Sequence, residues 1–356
     1  MGKKRREKRS SFPKVPAPDP ATPPDPRAFE SLLRDIQAEL ESREFSSGEE
    51  VDACLQTLVG SRGPGKSRQK TPLEQAQDLC WRAYEGNEED RDLLPHLALD
   101  ICPDCADAYV ILAGDCETDD PEQAMELYQE GVTAGERALG RIFFEENEGD
   151  FWMILETRPY MRARFGLARM CSLLGRKKEA ASHMEALLRL NQNDNQGVRD
   201  PCAALLMEIG EDARAKAVLD AYEDDALAAH AFNRALWIFR HDELSRAADN
   251  ALSEAMKKNR YVVPYLSGTK KIPSRTPDFF EPGDRTEAVE YVADAGEAWN
   301  ATPGAIEWLK EIASGKKKKE ALLCLVRAGL MNRIHYVGLP APTHPYAMPR
   351  RRPKKQ

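Results

Sequence analysis

Three groups of residues have types and spacings that could do chemistry. Gly60, Gly65, Lys66 and Ser67 satisfy G-x-x-x-x-G-K-S letter for letter, the spacing with which backbone amides and a lysine cradle phosphate. A working loop of this kind needs a buried strand before it and a helix starting at the lysine, so that the helix N-terminus faces the phosphates. Here VDACLQTLV reads as a helix end, and Pro72 follows five residues after Ser67. Nucleotide binding is therefore not expected. Cys102-Pro103-Asp104-Cys105, with Cys80, His96 and Cys116 nearby, has the spacing of half a zinc site or of a redox couple. No second C-x-x-C completes the set, and at a turn Cys105 can pack as a small apolar residue. No metal and no cofactor is expected. The histidines at 96, 183, 230, 241, 335 and 344 have no Ser, Cys or paired carboxylate at the spacing of a triad or acid/base pair. The acidic runs 145–150 and 223–225 fall at expected helix ends and read as solvated faces. No catalytic residue emerges, and the chain is not expected to be an enzyme.

The elements that would position these residues repeat along the chain. Residues 158–199 carry two helical patterns joined by Gly175. Met161, Phe165, Ala168, Cys171 and Leu174 recur at three- and four-residue steps in the first, and Ala180, Met184, Leu187 and Leu190 in the second. Gly175 stands where a chain reversal needs a residue tolerant of positive φ. Small residues at 168 and 180 let the two helices approach closely. Gly210 follows Gly175 by 35 residues, as Ala215 follows Ala180, and Ala203, Leu206, Ile209 and Leu219 repeat the faces. Leu236, Phe239, Ala248, Leu252 and Ala255 continue the pattern, and ALDICPDCADAYVILA at 98–113 extends it upstream. A helix-pair repeat of about 34 residues is the tetratricopeptide period. The expected fold class is all-α, an α-solenoid of such pairs.

Charge is unevenly distributed. The 356 residues carry a net −8, with 42% hydrophobic residues, enough for a sizeable core. Residues 1–14 hold seven Lys or Arg and one Glu, and 350–356 hold five Lys or Arg and no acid. The body between has a net charge of −19. The tails are open to two readings, solvated segments that fold back on the acidic body or counterion-exchanging contacts with RNA or DNA. No run approaches the eighteen or so apolar residues of a membrane span, and MGKKRREKRSSF has no apolar stretch behind its basic start. The eight cysteines spread over helical faces predict free thiols, a reducing compartment and a cytoplasmic location.

In order, residues 1–27 are basic and Pro-rich and are expected to be disordered. Residues 28–70 hold two helices, one spaced through Phe29, Leu32, Leu33, Ile36 and Leu40 and one capped by Ser46 or Ser47, then a Gly/basic linker. Thr71-Pro72 opens the solenoid, 71–258. Residues 259–315 form a Pro-rich segment and a helical cap, with helices at 285–299 and 303–312 covering the last repeat. Residues 316–356 hold a charge run, a short helix at 321–330 and a basic tail.

TRPYMRARFGLA, LLRLNQNDNQGVR, AKAVLDAYEDDALAAHAFNRALWIFR and the closing KKNRYVVPYLSGTKKIPSRTPDFFEPGDRTEAVEYVADAGEAWNATPGAIEWL resemble a group of mostly bacterial tetratricopeptide proteins. These are related to the eukaryotic suppressor-of-tumorigenicity-seven family. The resemblance covers roughly residues 45–312 and implies a helical-repeat scaffold without catalytic residues or cofactor. The sequence departs from it at Gln192, where such a unit usually has Pro after its second helix.

In tetratricopeptide solenoids the first helix of each pair lines the concave side. Aligning on the turn puts Arg162, Phe165 and Arg169 there, with His230, Asn233, Trp237 and Arg240 in a later unit. Arg and Asn along a wall can hold an acidic peptide by charge-assisted hydrogen bonds, with Phe165 and Trp237 as anchors. The competing reading pairs the same residues with the body's own Glu and Asp. The expected function is a non-catalytic scaffold binding a protein or peptide in its groove. Nucleic-acid association through the tails is the alternative.

Overall fold

The computed structural model describes residues 27–60, 69–242, 245–273 and 279–315. The G-x-x-x-x-G-K-S residues after Gly60, the two basic tails and the expected helix at 321–330 lie outside the described residues. The chain divides into two compact units, residues 1–199 and 200–356, the division falling inside the stretch 71–258.

The first unit holds α1 (Ala28–Glu41), α2 (Gly48–Gly60), α3 (Pro72–Glu85), α4 (Glu88–Ile101), α5 (Ala106–Cys116), α6 (Pro121–Leu139) and α7 (Arg141–Glu146). Two 3₁₀ turns then lead into α8 (Arg158–Leu173) and α9 (Lys177–Leu190). The starts follow from local chemistry. Thr71 and Glu74 form a reciprocal capping box with Pro72 at the first position, Asn87 caps α4, and Asp120 caps α6 ahead of Pro121. Ser47 Oγ accepts the Glu50 amide to start α2. Helices α3 and α4, α5 and α6, and α8 and α9 pack as neighbouring pairs, and the first members touch in series, α3 with α5 and α5 with α8. The core between them is small-residue rich. Ala76, Ala83, Ala98, Ala108, Ala124, Ala163, Ala168 and Ala180 are all fully buried. Gly166 of α8 abuts the ring of Tyr128 on α6, and a Cβ on Gly135 of α6 would lie 2.8 Å from that of Tyr160 on α8.

The turn between α8 and α9 closes as a helix C-cap should. Gly175 has φ 78°, the Arg176 amide donates to the Cys171 carbonyl at 2.7 Å, and the Gly175 amide donates to Ser172 at 3.1 Å. Thirty-five residues on, Gly210 has φ 78° and the Glu211 and Gly210 amides donate to Leu206 and Met207 at 2.8 and 3.1 Å. The sequence period is thus a period of one turn geometry.

The second unit holds α10 (Arg199–Glu208), α11 (Asp212–Ala221), α12 (Ala228–Asp242), α13 (Arg246–Lys258), α14 (Val262–Leu266), α15 (Arg285–Ala301) and α16 (Ala305–Ser314). Helices α12 and α13 pair, α15 packs on α12, and α16 packs on α13. An aromatic centre joins them. Trp308 stacks on Phe239 at 4.4 Å, and its Nε1 donates to Asp249 at 2.8 Å. Trp299 Nε1 donates to Tyr291 Oη at 2.8 Å. Glu287, nearly fully buried, accepts the Ala228 and Gly283 amides and Asn259 Nδ2, which satisfies a carboxylate without a cation.

Apart from a lone antiparallel pairing of Asp150 with Asn191, the described residues contain no strand, and the fold is all-α. No helix among them is long and apolar enough to cross a membrane.

Candidate functional site

The densest polar cluster in the first unit lies where α1 meets α3, α5 and α8. Helix α5 is buried almost all round, through Ala106, Ala108, Val110, Ile111 and Ala113, and this leaves Asp107 no route to solvent. Its fully buried carboxylate must therefore take its partners from the protein, a cation among them. Arg162 of α8 supplies one, with Nε 2.8 Å from Oδ1 and Nη2 2.6 Å from Oδ2. Gln77 Nε2 donates to Oδ2 at 2.7 Å and Tyr84 Oη to Oδ1 at 3.3 Å, both from α3. Burial, and then the Asp107 charge, push the Tyr84 hydroxyl well above its ordinary pKa, so it stays a donor.

Arg162 has capacity left, and α1 uses it. Arg162 Nη1 lies 2.8 Å from Glu30 Oε1 and Nη2 3.0 Å from Oε2, with Arg158 Nη1 at 3.5 Å from the same carboxylate. One helical turn further along α1, Arg34 pairs with Asp78 of α3 at 2.7 Å and sits 4.5 Å from the Trp81 ring centroid. At the start of the helix, Arg27 lies 3.8 Å over the ring of Tyr84. The result is a bound helix read by charge. Among the described side chains of α1, Glu30 and Arg34 are buried, Ile36 and Leu40 half-buried, and Phe29, Leu32 and Leu33 exposed. The helix forms where its apolar spacing predicts, but its most deeply buried positions are charged ones beside the stripe, and the stripe is covered only in part. A local apolar stripe shows that a helix is amphipathic; it does not show that the stripe finds a complementary surface.

No family model and no curated protein matches the chain.

The residues expected to line a groove are placed as follows. Arg162 is committed to Asp107 and Glu30. Phe165 is half-buried on α8. Arg169, more exposed, lies 3.2 Å from Glu117 at the end of α5. In the second unit, His230 and Asn233 are buried, Asn233 donating to the Asp200 carbonyl at 3.1 Å and accepting from Tyr291 at 3.2 Å. Trp237 donates to the Asp212 carbonyl at 2.9 Å and stacks on His241, and Arg240 holds the Asp212 carboxylate at 2.8 and 3.1 Å. Each of the three arginines thus has an acidic neighbour.

Cys105 is fully buried with its Sγ 3.6 Å from that of Cys80, both as thiols, while Cys102 is partly exposed. Two mixed donor sets arise that the spacing does not advertise, Cys171 with Glu179 and His183, and Asp200 with Asp225 and His230. In the first, Glu179 pairs with Arg176 at 2.7 Å. In the second, all three residues have partners within the protein, and Asp225 accepts the Leu227 amide at 2.7 Å ahead of α12. Burial holds the His183 imidazole below its ordinary pKa, with Arg164 repelling added charge. The unfolded chain therefore takes up this proton more readily, and the stability contributed by the neutral ring is lost as pH falls below about 6.5. His183→Gln is expected to lose less stability than the wild type between pH 7 and pH 5, read from urea midpoints.

Beside the α1 seam a cavity of about 100 Å³ is lined by Leu73, Trp81, Leu139, Leu155, Pro159 and Tyr160. It falls short of the 300–1,000 Å³ or so that ligand pockets occupy. A recess of about 480 Å³ bounded by α6, α8 and α9 is lined by Gln123, Met125, Glu126, Glu130, Arg176 and Glu179 among others. Glu30, Arg34, Asp78, Asp107 and Arg158 are missing from the sequence-derived site. Only Asp107 carried a usable signal, an acid inside the apolar run of α5.

Proposed function

We propose that the chain is a non-catalytic scaffold, an α-solenoid of tetratricopeptide-like helix pairs that binds a protein or peptide partner along the first helices of its pairs. The observation that carries this reading is the seam on α3, α5 and α8, the first members of three successive pairs. Their side chains hold a helix by buried, directional charges and not by enclosing a small molecule. The matching turns at Gly175 and Gly210 support the repeat, and the packing of α15 and α16 on α12 and α13 supports a helical cap. Arg162, Phe165 and Arg169 remain the partner-facing residues of the first unit in this reading, and Trp237 and Arg240 those of the second; His230 and Asn233, expected in the groove, are instead buried, Asn233 being held by the Asp200 carbonyl and the Tyr291 hydroxyl. The modest cavity beside the seam accords with a surface that recognises a polypeptide.

A photo-crosslinking amino acid tests this in living cells. Placed at Arg169, on the seam side of α8, it is expected to trap one or a few defined proteins. Placed at Ser182, exposed on the second helix of the same pair, it is expected to trap none of them. No adduct at Arg169, or the same adducts from both positions, would reject the reading.

A further inference from the structure

We infer that α1 is a displaceable resident of the seam, and that the partner taken there is an α-helix presenting the same charges, Arg, then Glu three residues on, then Arg four further. This inference rests on the scaffold reading and specifies its partner.

Among the described residues of 27–60, the buried side chains are Glu30, Arg34 and Cys54. Two of the three are charged, and the apolar Ile36, Leu40, Phe45, Val51 and Leu55 are only half-buried, so apolar burial, the dominant source of docking energy in most helix packing, is partial here. What remains is electrostatic and directional. Glu30 bridges Arg162 and Arg158, Arg34 bridges to Asp78 over Trp81, and Arg27 covers Tyr84. All three contacts fall on one face of α1, at positions 27, 30 and 34, which a helix brings into line.

The receiving surface does not depend on α1 for its own integrity. Asp107 keeps Arg162, Gln77 and Tyr84 when Glu30 leaves. Asp78 keeps Lys70 at 2.6 Å when Arg34 leaves. Arg162, Arg158 and Asp78 would then be a preformed socket, positive toward α8 and negative toward α3. A helix from another protein with the complementary order of charges satisfies it as α1 does. Tethering in the same chain gives α1 a high effective concentration, and a socket that is free only a tenth of the time binds its outside ligand tenfold more weakly. The resident helix therefore sets the threshold for partner entry.

The test uses the full chain and a labelled peptide spanning residues 27–42. In E30K/R34E, amide hydrogen exchange over 28–41 is expected to rise at least tenfold. The peptide is expected to bind that variant at least tenfold tighter than wild type by fluorescence anisotropy, and a peptide carrying Glu30→Lys is expected not to bind. Exchange is also expected to rise in R34E and to return toward wild type in R34E/D78R. Unchanged exchange in E30K/R34E would overturn the inference, as would a released α1 with no peptide binding. A wild-type chain that forms dimers by trading α1, seen as a doubled mass in native mass spectrometry, would also overturn it. Defined adducts at Arg169 without peptide binding would reject this inference and leave the scaffold reading standing. Absence of adducts at Arg169 would reject the scaffold reading and this inference with it, even if the peptide binds tightly.

Discussion

Arg162→Ala is expected to destabilise the first unit by about 3–5 kcal/mol, the cost of stranding a buried carboxylate. Asp107 is fully buried and Glu30 nearly so, and Arg162 is the cation bonded to both. Removing it leaves Asp107 with only Gln77 and Tyr84 as donors, neither of them charged. Against a total stability of about 5–15 kcal/mol this is a large fraction, and urea unfolding followed by circular dichroism measures it. The loss arises from an uncompensated charge and not from missing attraction, so replacing both partners should recover most of it. Arg162→Met with Asp107→Leu is expected to unfold closer to wild type than Arg162→Ala does. A loss below about 1 kcal/mol for Arg162→Ala would place this pair with exposed ion pairs and contradict the burial.

Gly166→Ala is expected to destabilise by about 2–3 kcal/mol, although the same exchange in an ordinary exposed helix interior stabilises by about 1 kcal/mol. A Cβ at 166 would overlap Cε1 and Cζ of Tyr128. That ring is buried, with its hydroxyl donating to Glu117 at 2.5 Å, so it cannot swing aside cheaply. Gly114 on α5 supplies the control, because nothing lies within 4 Å of the position its Cβ would take. Gly114→Ala should raise the urea midpoint, Gly166→Ala should lower it, and Tyr128→Leu in the Gly166→Ala background should restore part of the loss. Equal effects at the two glycines would show that α6 and α8 are not in close contact there.

The residues themselves determine the helices, their ends and the turn at Gly175 that recurs 35 positions on at Gly210. These depend on interactions within a few residues, such as Pro72 and Thr71 at a start, Gly175 and Gly210 past an end, and alanines at three- and four-residue steps. Helices predicted at 285–299 and 303–312 are found at Arg285–Ala301 and Ala305–Ser314 for the same reason. The tertiary structure alone decides which charges meet. Glu30 reaches Arg162 across 132 positions and Asp107 reaches it across 55, and no local period encodes those separations. It also decides that α1 turns Glu30 and Arg34 inward and leaves Phe29, Leu32 and Leu33 outside. Backbone geometry sets which residues of one helix share a face. Which face is buried, and against what, depends on the register between helices, where desolvated charges must find partners.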